Sequence, residues 1–261
     1  MAGRNFLNNI VDIDSAGWIF SMIFETCCSN PKPANIPIIG AFDFETAFPS
    51  VIHAWIWLVL KIRKLPKDYI LLFKGIYHKA SAVFRYDNKK ITIIQFLSGV
   101  LQGCPGSAFL FNNSIDPFLL LMHNSLREGN RGISRACADD IGVCLARLSS
   151  LALLTPIFSA AKSMAGLSLK APKCILVPLC RFSPKVARDI LKWLGRNIPE
   201  WSQFTILDCT KFLGFYIGPG AGRMNWIEQT SKMKERIQCI QTAKASEVEC
   251  LYVQCQGGPR R

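Results

Sequence analysis

The apolar positions of the chain fall into two spacings. Phe6, Ile10 and Ile13, then Trp18 and Met22, recur at roughly helical intervals, so part of residues 1–30 is expected to be helical. A Pro-rich break, Asn30–Pro37, follows. Ile38–Phe44 is a continuous apolar run that takes in one acid, the pattern of a buried strand. The segment from Pro49 through Leu65 predicts one helix with proline in its first turn. Pro66 opens another, with Tyr69, Phe73, Ile76 and Tyr77 along a face.

Ser81–Tyr86 and Ile91–Phe96 are rich in β-formers and read as a hairpin. A Gly-rich stretch, residues 97–107, leads into an apolar helix ending near Leu126. Ile133–Cys137 and Ile141–Leu145 predict two short strands turned by Ala138-Asp139-Asp140. A helix over Leu151–Ala165 should stop at Gly166, and Ser183-Pro184 should cap another that Gly195 ends. Lys211–Ile217 reads as a last strand, and a polar, basic helix runs from Trp226 to about Ala243. The order predicts an α+β fold: an antiparallel sheet backed by helices.

Composition changes this picture little. The chain has 261 residues, 50% hydrophobic and 19% charged, which is globular and excludes disordered or collagen-like classes. The greasiest stretches, Val51–Leu60 and Leu151–Ala161, are expected to fall short of a membrane span, and no secretory signal is expected at the N-terminus. The protein is therefore read as soluble and intracellular, without a membrane partner. The 11 cysteines include no C-x-x-C pair and the 3 histidines are scattered, so reduced thiols are expected rather than a zinc site or a disulfide-linked partner.

Charge is more informative. The formal net charge is +13, and it is uneven: the first 60 residues hold 2 bases and 5 acids, the remainder 29 and 13. A body that positive attracts a polyanion, most simply nucleic acid through its phosphates.

Against this background three acids stand out. Asp43 falls in a run that otherwise reads as core, and Asp139-Asp140 sit between two apolar strands. Asp is common in turns, but this turn lacks the glycine a two-residue hairpin usually wants. If the strands carrying Asp43 and Asp139 are neighbours, their carboxylates converge. Hard cations such as Mg²⁺ take such ligands, and two of them can clamp the attacking and leaving oxygens of a phosphoryl transfer.

Five segments in order, AFDFETAFPS (41–50), SGVLQGCPGS (98–107), CADD (137–140), AGLSLKAPKC (165–174) and KFLGFYIG (211–218), resemble the motifs of reverse transcriptases of the non-LTR (LINE-type) retrotransposons. The likeness covers about residues 38–218, with a weaker match of GRNFLNNIVDID (3–14) to a fingers segment. It implies a right-hand polymerase palm with truncated fingers and a partial thumb. On this reading 1–37 are partial fingers, 38–222 the palm with inserted fingers helices and hairpin, and 223–261 partial thumb and unassigned tail.

The resemblance implies an RNA-directed DNA polymerase using two Mg²⁺ ions, with Mn²⁺ as a substitute, and taking an RNA template, a DNA primer and dNTPs. Asp43, Asp139 and Asp140, with the backbone carbonyl of Phe44, would hold the metals. Phe48 would be the steric gate against a ribose 2′-OH, which argues against an RNA-dependent RNA polymerase. Gln102 and Gly103 would lie over the incoming nucleotide and Arg4 on its triphosphate. Lys173 would protonate the leaving pyrophosphate. Leu213-Gly214 would be the primer grip. A nuclear location is implied by the element's life cycle alone.

The chain departs from the family where Cys137 replaces the usual aromatic residue, and where GSAFLF follows Pro105. Residues 241–261 resemble nothing, and neither an endonuclease segment nor a zinc knuckle is expected. The alternative reading is a non-catalytic, nucleic-acid-binding remnant of such an element.

Overall fold

A computed structural model describes residues 6–27, 32–87, 89–101 and 103–243. At its centre is a five-stranded sheet. Its strands are β1 (Ile38–Phe42), β4 (Gly132–Cys137), β5 (Asp140–Leu145), β6 (Ile175–Pro178) and β7 (Thr205–Ile206), in the order β4-β5-β1-β6-β7. All pairs are antiparallel except β6–β7, a two-residue parallel edge. The antiparallel expectation therefore holds for four strands, among them β1 and β5 beside the acids.

The strand pleat sorts the residues of β1. Ile38 and Phe42 point into the larger core and Ile39 into a smaller one, as period-two alternation demands. The larger core is filled by α3 (His53–Ile62), α5 (Ser107–Arg127), α6 (Thr155–Ala160) and α7 (Pro184–Asn197), through residues such as Ile56, Leu60, Phe111, Ile115, Phe158 and Ile190. The opposite face is covered by α1 (Phe6–Cys27), through Ile10 and Ile13, and by a hairpin of β8 (Thr210–Phe212) and β9 (Phe215–Ile217). Arg135 of β4 pins α1 by an ion pair to Asp12 at 2.7 Å.

Four elements differ from expectation. The helix read as continuous from Pro49 is broken: one turn, α2 (Ala47–Ser50), stops where Val51 goes extended (ψ 121°), and α3 restarts after Ile52. Gly195 does not stop α7, which Ser183 caps by accepting from the Val186 N–H at 3.2 Å; the helix runs on to Asn197, held by buried Leu194 and Ile198. Lys211–Ile217 is the β8–β9 hairpin, not one strand. Strand β6 was not expected at all, although it is the second neighbour of β1.

Leu148–Ala165 is, by length and mean hydropathy (1.2 over 18 residues), apolar enough to cross a membrane, contrary to the expectation from sequence. It is instead a 3₁₀ turn, the short helix α6 and a π turn, with Leu148, Leu151, Leu154, Phe158 and Ala165 buried in the sheet's larger core.

Outside this body, α4 (Lys67–Tyr77) is followed by the hairpin β2 (Ser81–Tyr86) and β3 (Lys89–Gln95), most of whose residues are exposed. The final helix, α8 (Ala221–Ala243), is hooked to the β8–β9 hairpin by Asn225, whose amide bonds both the N–H and the C=O of Tyr216 at 2.6 and 2.8 Å. The cysteines among the described residues are free thiols.

Candidate active site

The acids meet at one end of the sheet. In the β1–β5 ladder Phe42 pairs with Ile141, so the next step places Asp43 opposite Asp140. Residues directly opposite in an antiparallel pair project to the same face. Phe42 and Ile141 point into the helix-covered core, so Asp43 and Asp140 emerge on the other side, the side of the β8–β9 hairpin. Cys137 pairs with Asp140, leaving Ala138-Asp139 as the turn. Ala138 takes φ +53° there, a conformation that costs a residue with a Cβ roughly 1–3 kcal/mol. The missing glycine noted in the sequence is thus a strained alanine next to the acids.

The three carboxylates feel one another. Burial, followed by the charges of Asp139 and Asp43, pushes the Asp140 carboxyl above the ordinary carboxylate range. A counter-charge stands beside them: Lys173 Nζ lies 3.5 Å from Asp43 Oδ2, with both side chains well exposed.

Beyond β1 the chain is gripped by the 168–174 segment. Lys170 N–H donates to Asp43 O at 2.9 Å, Glu45 N–H to Ser168 O at 2.9 Å, and Phe44 bridges Leu169. With Asp43 and Glu45 bonded to that side, alternation turns the Phe44 carbonyl to the opposite edge, that of β5 and the Asp139 turn. The Cys174 thiol contacts the backbone of Asp43, and burial raises its pKa to about 11, so it stays neutral.

Phe48 lies against α5, its ring stacked on buried Phe111 at 4.3 Å. Its carbonyl accepts from Val100 N–H at 2.8 Å, which ties α2 to the loop leading to Gly103. Gly99 makes this closeness feasible: it has φ +84°, and a Cβ there would meet the Pro49 backbone at 2.4 Å. Gly103 is exposed, with φ +89° and open space where a Cβ would be. Arg4 and Gln102 lie outside the described residues.

Leu213 and Gly214 form the tip of the β8–β9 hairpin, with φ of +49° and +89°, as a two-residue turn of positive φ requires. The hairpin is seated on the acid-bearing strand by a contact sequence reasoning missed. A Cβ on Gly142 of β5 would lie 2.8 Å from the Phe212 ring, so only glycine lets that ring settle over the strand. The isolated glycine inside an apolar strand was the signal available.

The donor set suits a hard cation. Among the described residues no three His, Cys, Asp or Glu side chains converge as a ready-made cage. Mg²⁺ does not need one, because it commonly takes one or two carboxylates and fills its shell with water and phosphate oxygens. Burial first, and then the charges of Asp139 and Asp43, raise Asp140, and a cation among these carboxylates would offset both.

A sheet with paired acids at one end, a helix layer on one face and a hairpin with α1 over the other has the form of a polymerase palm. A solved telomerase from Candida tropicalis, truncated from its C-terminal domain, shares the fold. Its TM-score is 0.56 at 11% identity, over 84% of this chain and 39% of that one. The model of the reverse transcriptase (RNA-dependent DNA polymerase) family matches residues 9–217, and the chain belongs to that family. Its relatives include the Pol polyprotein of the type-2 retrotransposable element R2DM of Drosophila melanogaster, 26% identical over 76% of this chain. The transposon TX1 149 kDa protein of Xenopus laevis is 28% identical over 39% of it. The matched regions span only 19% and 8% of those two proteins. Membership of the reverse transcriptase family thus stands on the family match as well as on the motifs, and the two relatives named are both transposable-element proteins.

Proposed function

We propose that this chain is a catalytic core that extends a DNA primer on an RNA template, taking dNTPs by nucleotidyl transfer with two divalent cations. The observation that carries the reading is the placing of Asp43 opposite Asp140, one residue from Asp139, with Lys173 at 3.5 Å.

In the reaction the primer 3′-oxygen bonds to the α-phosphorus of the dNTP as the bond from that phosphorus to the bridging oxygen breaks. The 3′-hydroxyl proton passes to solvent water and pyrophosphate departs. Asp43, Asp139 and the Phe44 carbonyl would hold Mg²⁺ or Mn²⁺, which supplies positive charge to the oxygens that gain negative charge. Asp140, the third acid, would add a further carboxylate to that shell. Lys173 gives its proton to the pyrophosphate oxygen, general-acid work typically worth 10²–10⁴-fold in rate. Phe48, fixed by its stack on Phe111, excludes the ribose 2′-hydroxyl. Gly103 lets the backbone approach the nucleotide, with Gln102 beside it and Arg4 on the triphosphate. The Leu213-Gly214 tip bears on the primer end.

The test is extension of oligo(dT) on poly(rA) with Mg²⁺ and dTTP, with Asp139→Ala alongside. Extension by the wild type and none by the variant, with template binding retained by both, is the expected result. Polymerisation by Asp139→Ala overturns the mechanism. No extension from folded, RNA-binding wild type overturns the activity and leaves the reading of a non-catalytic remnant.

A further inference from the structure

The β1–β6 ladder has a gap beside the first acid, and one sulfur atom fills it. The pairing runs from Ile38↔Pro178 to Ala41↔Ile175, so continuing the register would put Asp43 opposite Lys173. That partner is not available. Residues Ala171–Lys173 curl into a 3₁₀ turn in which Lys173 N–H bonds back to Lys170 O at 2.8 Å. The neighbouring carbonyl, that of Cys174, is turned to the other edge, where it accepts from Thr205 N–H at 2.9 Å. An amide left unpaired in a partly buried strand end is destabilising.

The Cys174 side chain takes the place of the missing main chain. Its sulfur accepts from Asp43 N–H at 3.5 Å, and its S–H is directed at Asp43 O at 3.7 Å, so one thiol engages both polar groups of that residue. The ladder resumes past the excursion, with Lys170 on Asp43 O and the Phe44–Leu169 bridge. The excursion is also what carries Lys173 to the Asp43 carboxylate, at 3.5 Å. A side chain at this point therefore has to close the ladder without occupying the place of the turn, and a small hydrogen-bonding group does that.

We infer that Cys174 is a positioning residue: its thiol, by bridging the gap in the β1–β6 ladder, fixes the backbone of Asp43 and the offset between that carboxylate and Lys173. The inference rests on the reading of Asp43 as a cation ligand and deepens it. Sulfur is a weak acceptor and a weak donor, so the sulfur's role is geometric more than energetic. Misplacing a reacting group by about 1 Å can cost on the order of 10²-fold in rate.

The test compares Cys174→Val, which fills the site with methyl groups and removes the hydrogen-bonding atom, with Cys174→Ser, which keeps a donor and acceptor. Cys174→Ala is run beside them, so that the test survives if the valine variant fails to fold. Three quantities are read: Mn²⁺ affinity by titration calorimetry, amide exchange at Asp43, and the kcat and KM of primer extension.

The expected result is that Val and Ala weaken Mn²⁺ binding about fivefold or more, speed exchange of the Asp43 amide about tenfold, and lower kcat about tenfold, on the misplacement argument above. The KM for template–primer stays unchanged, and Ser stays within about threefold of wild type. Wild-type Mn²⁺ affinity and wild-type Asp43 protection in the alanine variant overturn the inference, as does a serine variant no better than alanine. If the wild type extends no primer, the polymerase reading fails by itself, while the Mn²⁺ and exchange measurements still decide the role of Cys174.

Discussion

Phe48 and Phe111 stack with ring centroids 4.3 Å apart and planes only 13° from parallel. Phe111 is fully buried in α5, while Phe48 is half-buried, so one ring anchors the other at the rim of the core. In the gate role proposed for Phe48, the stack on Phe111 holds the ring against a bulkier sugar. Phe48→Ala is expected to raise incorporation of rNTPs relative to dNTPs by about tenfold or more, the factor that one filled or emptied contact in a pocket commonly gives. Competition between dTTP and UTP in primer extension measures it, and an unchanged ratio removes Phe48 from sugar selection.

Gly142 and the Phe212 ring make the second close contact, at 2.8 Å from the site of a would-be Cβ. Gly142→Ala should push the β8–β9 hairpin off the sheet, costing about 1–3 kcal/mol as overpacking does. Thermal unfolding reads the stability, and primer-end affinity tests the grip proposed for Leu213-Gly214. Adding Phe212→Leu to Gly142→Ala should recover part of both, because it shortens the ring that clashes.

Asp140 predicts a pH dependence. Its carboxyl is raised by burial and by the charges of Asp139 and Asp43, so the folded state holds its proton at higher pH than the unfolded chain does. Stability attributable to this group therefore falls as pH rises from the ordinary value of 3.8 through the raised one, and the penalty is complete above it. Asp140→Asn should melt higher than wild type at pH 7, with the difference vanishing below about pH 3.8, where the acid is protonated in both states. Melting curves across pH 3–8 in metal-free buffer check the sign.

Lys173 stands beside Asp43 with more than half of its own side chain exposed, so the pair adds little to folding. Lys173→Ala should leave the melting temperature within experimental error and lower kcat by about 10²-fold, the lower bound for a lost general acid. Single-turnover extension at saturating dNTP is the measurement, and an unchanged rate in the variant removes Lys173 from proton donation.

The acids were legible in the sequence because a carboxylate in an apolar strand has no packing reason to be there. Asp43 and the Asp139-Asp140 pair announced themselves that way, and the sheet then brought them to one end. The hairpin β8–β9 was not legible. Its seven residues read as one β-run, and nothing in a local pattern says that Leu213 will adopt φ +49°. Strand β6 is four residues ending in proline, too short to stand out from the loop before it. Gly195 misled in the other direction: a glycine costs a helix roughly 1 kcal/mol, less than burying Leu194 and Ile198 returns. Cys174 was passed over because its work is to satisfy a backbone group, and such needs appear only when the ladder is laid out.

The placement of β1 has a consequence for synthesis. Ile39 pairs with Cys144 on one side and Val177 on the other, so both edges of the strand wait for partners made more than a hundred residues later. A nascent chain released before residue 178 would carry the apolar run Ile38–Phe42 with at least one open edge, a ready template for intermolecular pairing. Truncated translation products of this chain should thus aggregate, and the ribosome must deliver nearly the whole palm before its first strand is safe.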